Sequence, residues 1–388
     1  MKDVKALYKR LKEHQVFEAK YPEYAMDDNK LHVLYVAPWL NGSGYYRMIL
    51  PALTLNTSKT HVAIITDIQK WDFTRQFDEA NHDINALLID WADYVVLPAM
   101  LTDATYIIRN MSMFKRDLKF VMDMDISYHA MPQYHPDYRK ITDKQREQLL
   151  LNLAGMDVVT AASEALKVQY QHLVKSLESE SIPRFEYVPN FFSSYTYQEI
   201  PLHQKPTSNI TRIGLVGNGS MHADFVLILG VLKNIQKIYG GKVELIFFGW
   251  NGKDPMGNYL LEELTCTIEK SVCFTDYFTR LHELALDIAL LPLRDTSYNS
   301  TKSPVKYQEM AAAQVPVIAS NVAPFKDIIK DGDNGFLADT GKEWHEKIVS
   351  LIEDPKLREQ VVENADRYIW DFHAPSGEFK TAIKRVFI

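Results

Sequence analysis

The feature that most limits how this chain can fold is a series of short apolar, β-branched runs, each followed by a helical pattern. In the first half the runs are Leu31–Ala37, His61–Thr66, Tyr94–Pro98, Lys119–Met122 and Asp157–Ala161. In the second half they are Arg212–Gly217, Val243–Phe248, Asp287–Pro292 and Val315–Ala319, with a shorter run at Val272–Phe274. Runs without polar alternation fit strands buried on both faces, and strand–helix alternation makes such sheets parallel. Between the halves, 191–210 is polar, proline-bearing and aperiodic, which marks a linker. The pattern predicts an α/β protein of two doubly wound halves. The expected boundaries are 1–205, 206–370 and a C-terminal helix at 371–388 that packs back on the first domain.

A chain of 388 residues accommodates two domains, and 46% hydrophobic with 24% charged residues is enough to build packed cores. The net charge of −7 argues against nucleic acid as a partner. No apolar run reaches the roughly 18–20 residues of a membrane-spanning helix. The first residues lack the apolar core of a signal peptide, so the expected location is the cytoplasm. Cys266 and Cys273 belong to no metal-ligand spacing and read as reduced thiols; no metal site is predicted. Residues 1–20 form an amphipathic pattern, with Val4, Leu7, Tyr8 and Leu11 on one face among several lysines. A helix docked on the first domain is the preferred reading. The other is peripheral contact with the inner face of the membrane through anionic lipid.

Polar groups concentrate where strands end, which is where open α/β sheets bind ligands. After the first strand comes Asn41-Gly42-Ser43-Gly44-Tyr45-Tyr46-Arg47. Glycines there let backbone approach a ligand, and helix N–H groups face it. It is not a dinucleotide fingerprint, because Arg47 stands where a third glycine is required. After the fourth strand, Asp123-Met124-Asp125-Ile126-Ser127-Tyr128-His129 places two carboxylates and an imidazole at a strand end. The second half opens with a similar loop, Gly217-Asn218-Gly219-Ser220-Met221-His222-Ala223-Asp224. The densest segment is 298–341. A polar loop enters a helix at Pro304, where a missing N–H costs nothing, and Lys306 and Glu309 lie on one face of its first turns. Gln314 closes that helix before a buried strand. A second helix is expected from Pro324, stopped by Gly332 and Gly335.

Together these residues resemble the two-domain, GT-B fold glycosyltransferases, specifically the retaining nucleotide-sugar group of glycosyltransferase family 4 and its relatives. The resemblance covers nearly the whole chain. It is carried by the Asn41–Arg47 loop, by Thr160–Leu166 and Val188-Pro189-Asn190, and by the Gly217–Asp224 loop. Its strongest part is Lys302-Ser303-Pro304-Val305-Lys306-Tyr307-Gln308-Glu309, followed by Val315–Ser320 and Asp333–Leu337. The resemblance implies a GT-B fold: two Rossmann-like domains facing a central cleft. It implies a nucleotide diphosphate sugar as donor substrate, no required cofactor, and a glycan, lipid-linked or protein acceptor. Carried over residue by residue, Glu309 would hold the donor ribose, and Lys302 and Lys306 would neutralise the diphosphate. Gly217, Gly219, Ser220, His222 and Ser303 would surround the phosphates. Gly42, Gly44, Asp125 and His129 would face acceptor and donor sugar. Two departures stand out: the family's glutamate eight positions before Glu309 is here Thr301, in a place that would touch the donor sugar, and the usual arginine and lysine of the first C-terminal loop are absent, with Asn218, Ser220 and His222 in that neighbourhood.

Two functions of different kinds follow. The leading one is an enzyme of glycoconjugate or polysaccharide biosynthesis, transferring a hexose with retention and without an essential metal. The alternative is a non-catalytic GT-B protein that binds a partner transferase or a glycan.

Overall fold

The computed structural model describes residues 9, 29–37, 41–68, 71, 84–179, 181–190, 209–217, 221–250, 255–373 and 378–388. Apart from Lys9, the amphipathic stretch 1–20 lies outside the described residues, as do most of the linker and Asn218, Gly219 and Ser220. The chain divides into two compact units. One comprises Met1–His129, Ile141–Phe191 and Pro375–Ile388, and the other Ala130–Lys140 and Phe192–Ala374. A single cut in the linker therefore does not describe the partition, because a short strap from the first half groups with the second unit.

The first unit is a six-stranded sheet in the order β2-β1-β3-β4-β5-β6. Its strands are β1 (Leu31–Ala37), β2 (His61–Asp67), β3 (Tyr94–Pro98), β4 (Lys119–Met124), β5 (Val158–Ala161) and β6 (Arg184–Tyr187). Every pairing is parallel. β2 is buried along its full length, as its apolar run requires. Helix α1 (Leu50–Leu55) follows the glycine loop, and helices α2 (Ile84–Trp91), α3 (Thr105–Phe114), α4 (Asp143–Ala154) and α5 (Glu164–Lys175) complete the connections. Ser163 caps α5, its hydroxyl accepting from the Leu166 N–H at 3.1 Å.

The second unit is another parallel six-stranded sheet, ordered β12-β11-β10-β7-β8-β9. Its strands are β7 (Thr211–Val216), β8 (Val243–Phe248), β9 (Cys266–Glu269), β10 (Ile288–Leu291), β11 (Val317–Ser320) and β12 (Phe336–Ala338). Helix α6 (His222–Tyr239) lays Phe225, Ile228, Leu232 and Ile235 on the sheet. That three-and-four spacing is one helix face, and each such side chain contributes roughly 1.5–3 kcal/mol when fully buried. Helices α7 (Pro255–Leu261), α8 (Phe274–Glu283), α9 (Val305–Ala312), α10 (Gly341–Glu353) and α11 (Pro355–His373) follow. The last helix, α12 (Glu378–Val386), belongs to the first unit. Its end is tied there: the Tyr94 hydroxyl donates to the Ile388 carbonyl at 2.6 Å, and Phe387 packs on Tyr35, His61 and Tyr94.

Three local expectations are corrected. The strand expected at Val272–Phe274 lies instead at Cys266–Glu269, and Phe274 begins helix α8. β9 is an edge strand with exposed Thr267 and Ile268, so it carries no continuous apolar run. The helix expected from Pro324 is a single turn, Phe325–Asp327. Beyond it the Asn334 side chain accepts from the Lys330 N–H at 2.7 Å and donates to the Ile328 carbonyl at 3.1 Å, meeting groups a helix would have paired. The boundary expected at 370 falls inside a helix, which runs on to His373.

Each sheet has one place where successive connections leave in opposite directions. It lies between β1 and β3 in the first unit and between β7 and β10 in the second. A crevice opens at the carboxyl ends of the strands at such points.

Candidate functional site

In the first unit the β1–β3 crevice holds a cavity of ≈ 200 Å³ lined by Asn41, Ser43, Arg47, Asp123, Asp125 and Tyr128, among others. The glycine loop is wound into a helical turn, Gly42–Gly44, capped by Asn41, whose side-chain oxygen accepts from the Gly44 N–H at 3.0 Å. Arg47 points inward and is almost fully buried. Its guanidinium donates two parallel bonds to the Asp123 carboxylate at 2.9 and 2.7 Å, and others to the Val188 carbonyl and the Asn190 side chain. Thr160 donates to Asp123 at 2.6 Å. The pair is thus closed and links four strand ends. Asp123, though it lines the cavity, is the counter-ion of Arg47, so its charge is already met within the protein.

Asp125 stands in the cavity. Burial holds its carboxyl above the usual range, with the Asp123 charge adding to the effect and Ser43 and Arg47 opposing it. His129 lies edge-on to Tyr170, its Nδ1 3.3 Å from the hydroxyl; burial and the Arg146 charge push its pKa down. Such an imidazole is neutral at neutral pH, and can accept or donate one hydrogen bond to a sugar.

The second unit gathers most of the expected residues at its own crevice. Gly217 ends β7, and its N–H donates to the Phe248 carbonyl at 2.9 Å. Gly249 approaches it from β8 at a φ of +95°, where an added Cβ would stand 2.2 Å from the Gly217 oxygen. Only glycine at 249 lets the two loops meet so closely. His222 starts α6, with Tyr134 edge-on to its ring at 6.3 Å. Buried Asp224 accepts from the Arg294 N–H at 2.8 Å and from the Asn299 side chain at 3.2 Å, fixing the loop after β10 against α6. Thr301 is buried in that loop, and its hydroxyl donates to the Tyr298 carbonyl at 2.7 Å. The hydroxyl proton is therefore engaged within the loop, which leaves the Thr301 oxygen as an acceptor. Ser303 lies in the polar turn leading into α9.

Lys306 and Glu309, expected to act on different parts of a donor, are joined to each other. Lys306 Nζ lies 2.7 Å from Glu309 Oε2, and Glu309 is only 3% exposed. The Tyr277 hydroxyl donates to the same oxygen at 2.7 Å and accepts from Lys306 at 3.1 Å. Tyr277 stacks parallel on Phe248 and Phe274, which holds its hydroxyl in place. Burial, then the Glu309 charge, raise its pKa well above the ordinary phenol value, so it remains a donor. Tyr277 was not among the expected site residues, because the short strand read at Val272–Phe274 obscured the start of α8; the Phe274, Tyr277, Phe278 spacing of a helix face was the available signal.

Lys302 is the contrasting lysine. Its Nζ sits over the Tyr298 ring, 4.9 Å from the centroid, and it makes no ion pair among the described residues. Burial pulls its pKa down, with Asp224 the charge that opposes this. Asp125, His129, Gly42 and Gly44 belong to one unit and Gly217, His222, Thr301, Lys302, Ser303, Lys306 and Glu309 to the other. Among the described residues, no three His, Cys, Asp or Glu side chains converge to hold a metal ion. No described helix is long and apolar enough to cross a membrane.

Comparison with known proteins bears on this geometry. The family "Glycosyl transferases group 1" matches residues 205–368, which is the second sheet with its site. No curated protein sequence matches the chain. Among solved structures, a glycosyltransferase from Rickettsia africae is 15% identical over 92% of this chain and 97% of its own, with a TM-score of 0.59. Sucrose-phosphate synthase from Thermosynechococcus elongatus is 12% identical over 92% and 97%, with a TM-score of 0.60. Anabaena HepE, solved with UDP and glucose, is 12% identical over 91% and 97%, at 0.57. S. aureus TarM is 13% identical over 78% of this chain at 0.53, and the match spans only 58% of TarM. Residues 205–368 thus match the group 1 glycosyl transferases, and the two parallel Rossmann-like sheets share the fold of these solved glycosyltransferase structures.

Proposed function

We propose that the chain transfers a sugar from a nucleotide diphosphate sugar to a glycan, lipid-linked or protein acceptor, with retention of configuration and without a required metal. The observation that carries this reading is Lys302, a half-buried ammonium that makes no ion pair among the described residues, placed just ahead of helix α9. The sugar–phosphate bond breaks as negative charge builds on the departing diphosphate. A preorganised cation and the α9 N–H groups stabilise that charge where it develops. In this reading Lys302 is the principal cation. Glu309 accepts from the donor ribose, a task suited to a carboxylate with two acceptor oxygens. Lys306 acts with Tyr277 to orient Glu309. Gly217, His222 and Ser303 surround the phosphates; Gly219 and Ser220, expected there from the sequence, lie outside the described residues. On the first unit, Gly42, Gly44, Asp125 and His129 serve the acceptor and the transferred sugar, in a cytoplasmic reaction. The acceptor hydroxyl attacks on the face the diphosphate leaves, its proton passing to the departing phosphate oxygen.

The test is release of nucleoside diphosphate from UDP-, GDP-, CDP- and ADP-sugars, with magnesium or with EDTA. We expect one donor class to be consumed in EDTA, and Glu309→Ala to lower turnover by roughly 100-fold through lost transition-state stabilisation. The engagement of Thr301 and of Lys306 with neighbouring side chains and backbone favours a second reading, a GT-B protein that binds a glycan or a partner transferase without catalysis. Glycan binding with no consumption of any donor is the result that would select it.

A further inference from the structure

The strap Ala130–Lys140 leaves the first sheet after β4 yet groups with the second unit. It carries Tyr134 and His135 to the β7–β10 crevice. The His135 ring stands edge-on to Tyr298 at 5.5 Å, with Nε2 3.4 Å from the Tyr298 hydroxyl. Lys302 Nζ also lies over the Tyr298 ring, at 4.9 Å, and Tyr134 is flanked by His222 and by the Arg294 guanidinium at 5.9 Å from its centroid. Four side chains that are or can become cationic thus surround two tyrosines. Among the described residues, the carboxylates recorded as acting on them are Asp224 and Asp137. Asp224 already accepts from the Arg294 N–H and from Asn299, and Asp137 lies 3.9 Å from His135 Nδ1 with its side chain 49% exposed. Gathering cations in this way is unfavourable until an anion joins them.

We infer that Lys302, His135, His222 and Arg294 form an anion subsite that holds the phosphates of the donor, with His135 as its pH-dependent member. The inference rests on the donor reading above and adds to it a residue from the first half of the sequence. The environment of His135 supports a switch. Burial holds its pKa below the ordinary imidazole value; Asp137 on the strap raises it, while Lys302 from the α9 loop, Lys140 on the strap and His222 on α6 lower it. The empty site therefore keeps the imidazole neutral at neutral pH, and an anion beside it favours the protonated form. Binding then takes up a proton, so affinity rises as pH falls from about 8 to about 6.

The experiment follows the His135 imidazole resonance by NMR against pH, alone, with each nucleotide sugar of the panel, and with inorganic pyrophosphate. A nucleotide sugar is the better probe of pH dependence, because its diphosphate diester does not titrate near neutrality. The expected result is a His135 pKa raised by roughly one unit in the complex, the size set by a nearby opposite charge. His135→Gln should weaken binding about tenfold at pH 6 and little at pH 8, as loss of one charged contact would do. Circular dichroism checks that this variant folds, and His222→Gln is a second probe of the subsite. A donor that binds without moving His135 overturns the inference and leaves the proposed function standing. Pyrophosphate moving His135 while no nucleotide sugar binds keeps the anion subsite and removes the donor reading. No response of His135 to either ligand class overturns the subsite.

Discussion

Each of the two sheets holds a cation at its carboxyl edge, and the two are treated in opposite ways. Arg47 in the first unit is buried and closed, with two bonds to Asp123 and two more to Val188 and Asn190. Lys302 in the second is half-buried and rests on an aromatic face. A guanidinium whose donors are met within the protein has little left for a ligand and serves to lock strand ends together. An ammonium whose pKa is already pulled down by burial carries an unmet cost that an anion relieves. The contrast separates the two roles that a glycine loop with a nearby cation suggests. Arg47 shapes the first crevice, and in the proposed reading Lys302 meets the substrate.

The largest effect that sharpens this contrast is on stability in the first unit. Asp123→Asn leaves a buried guanidinium without its counter-charge, and should destabilise the protein by about 3–5 kcal/mol. Chemical denaturation checks this; a shift under about 1 kcal/mol would mean the pair is not the lock described here. Next comes Lys302→Met, which should behave in the opposite sense. It lowers turnover by roughly 100-fold through lost charge stabilisation, while the melting midpoint stays level or rises because an uncompensated charge is gone. Turnover near that of the wild type would break the comparison. The smallest effect belongs to Tyr277→Phe, which removes one of the donors to Glu309 and should cost about 1–3 kcal/mol of stability. A double-mutant cycle with Glu309→Gln should show the two changes to be coupled.

Much of this was legible in the sequence, for identifiable reasons. Central strands such as β3 and β8 fell within their apolar runs, because a strand covered on both faces has no polar alternation to disguise it. Edge strands other than the fully buried β2 were harder: β6 is only partly buried throughout, and β12 has three residues in a turn-rich stretch. In the site, Lys302, Lys306 and Glu309 were visible as a local spacing on one loop and one helix. The ion pair of Arg47 with Asp123 was not, since its partners are 76 residues apart and each looked like a ligand group alone. Tyr277 was hidden by a mistaken strand. The strap bearing Tyr134 and His135 was hidden because a segment that joins the unit of another part of the chain leaves no periodic mark.

The most direct test of the central claim is a thermal-shift comparison of the wild-type protein with Lys302→Met against UDP, GDP, CDP and ADP and their sugar conjugates. A ligand at 100 times its dissociation constant should stabilise the wild type by about 2.7 kcal/mol. The account predicts that one nucleotide class raises the wild-type midpoint and that Lys302→Met loses most of that rise while melting no earlier when unliganded. A rise retained in full by Lys302→Met, or no rise with any nucleotide, would contradict it.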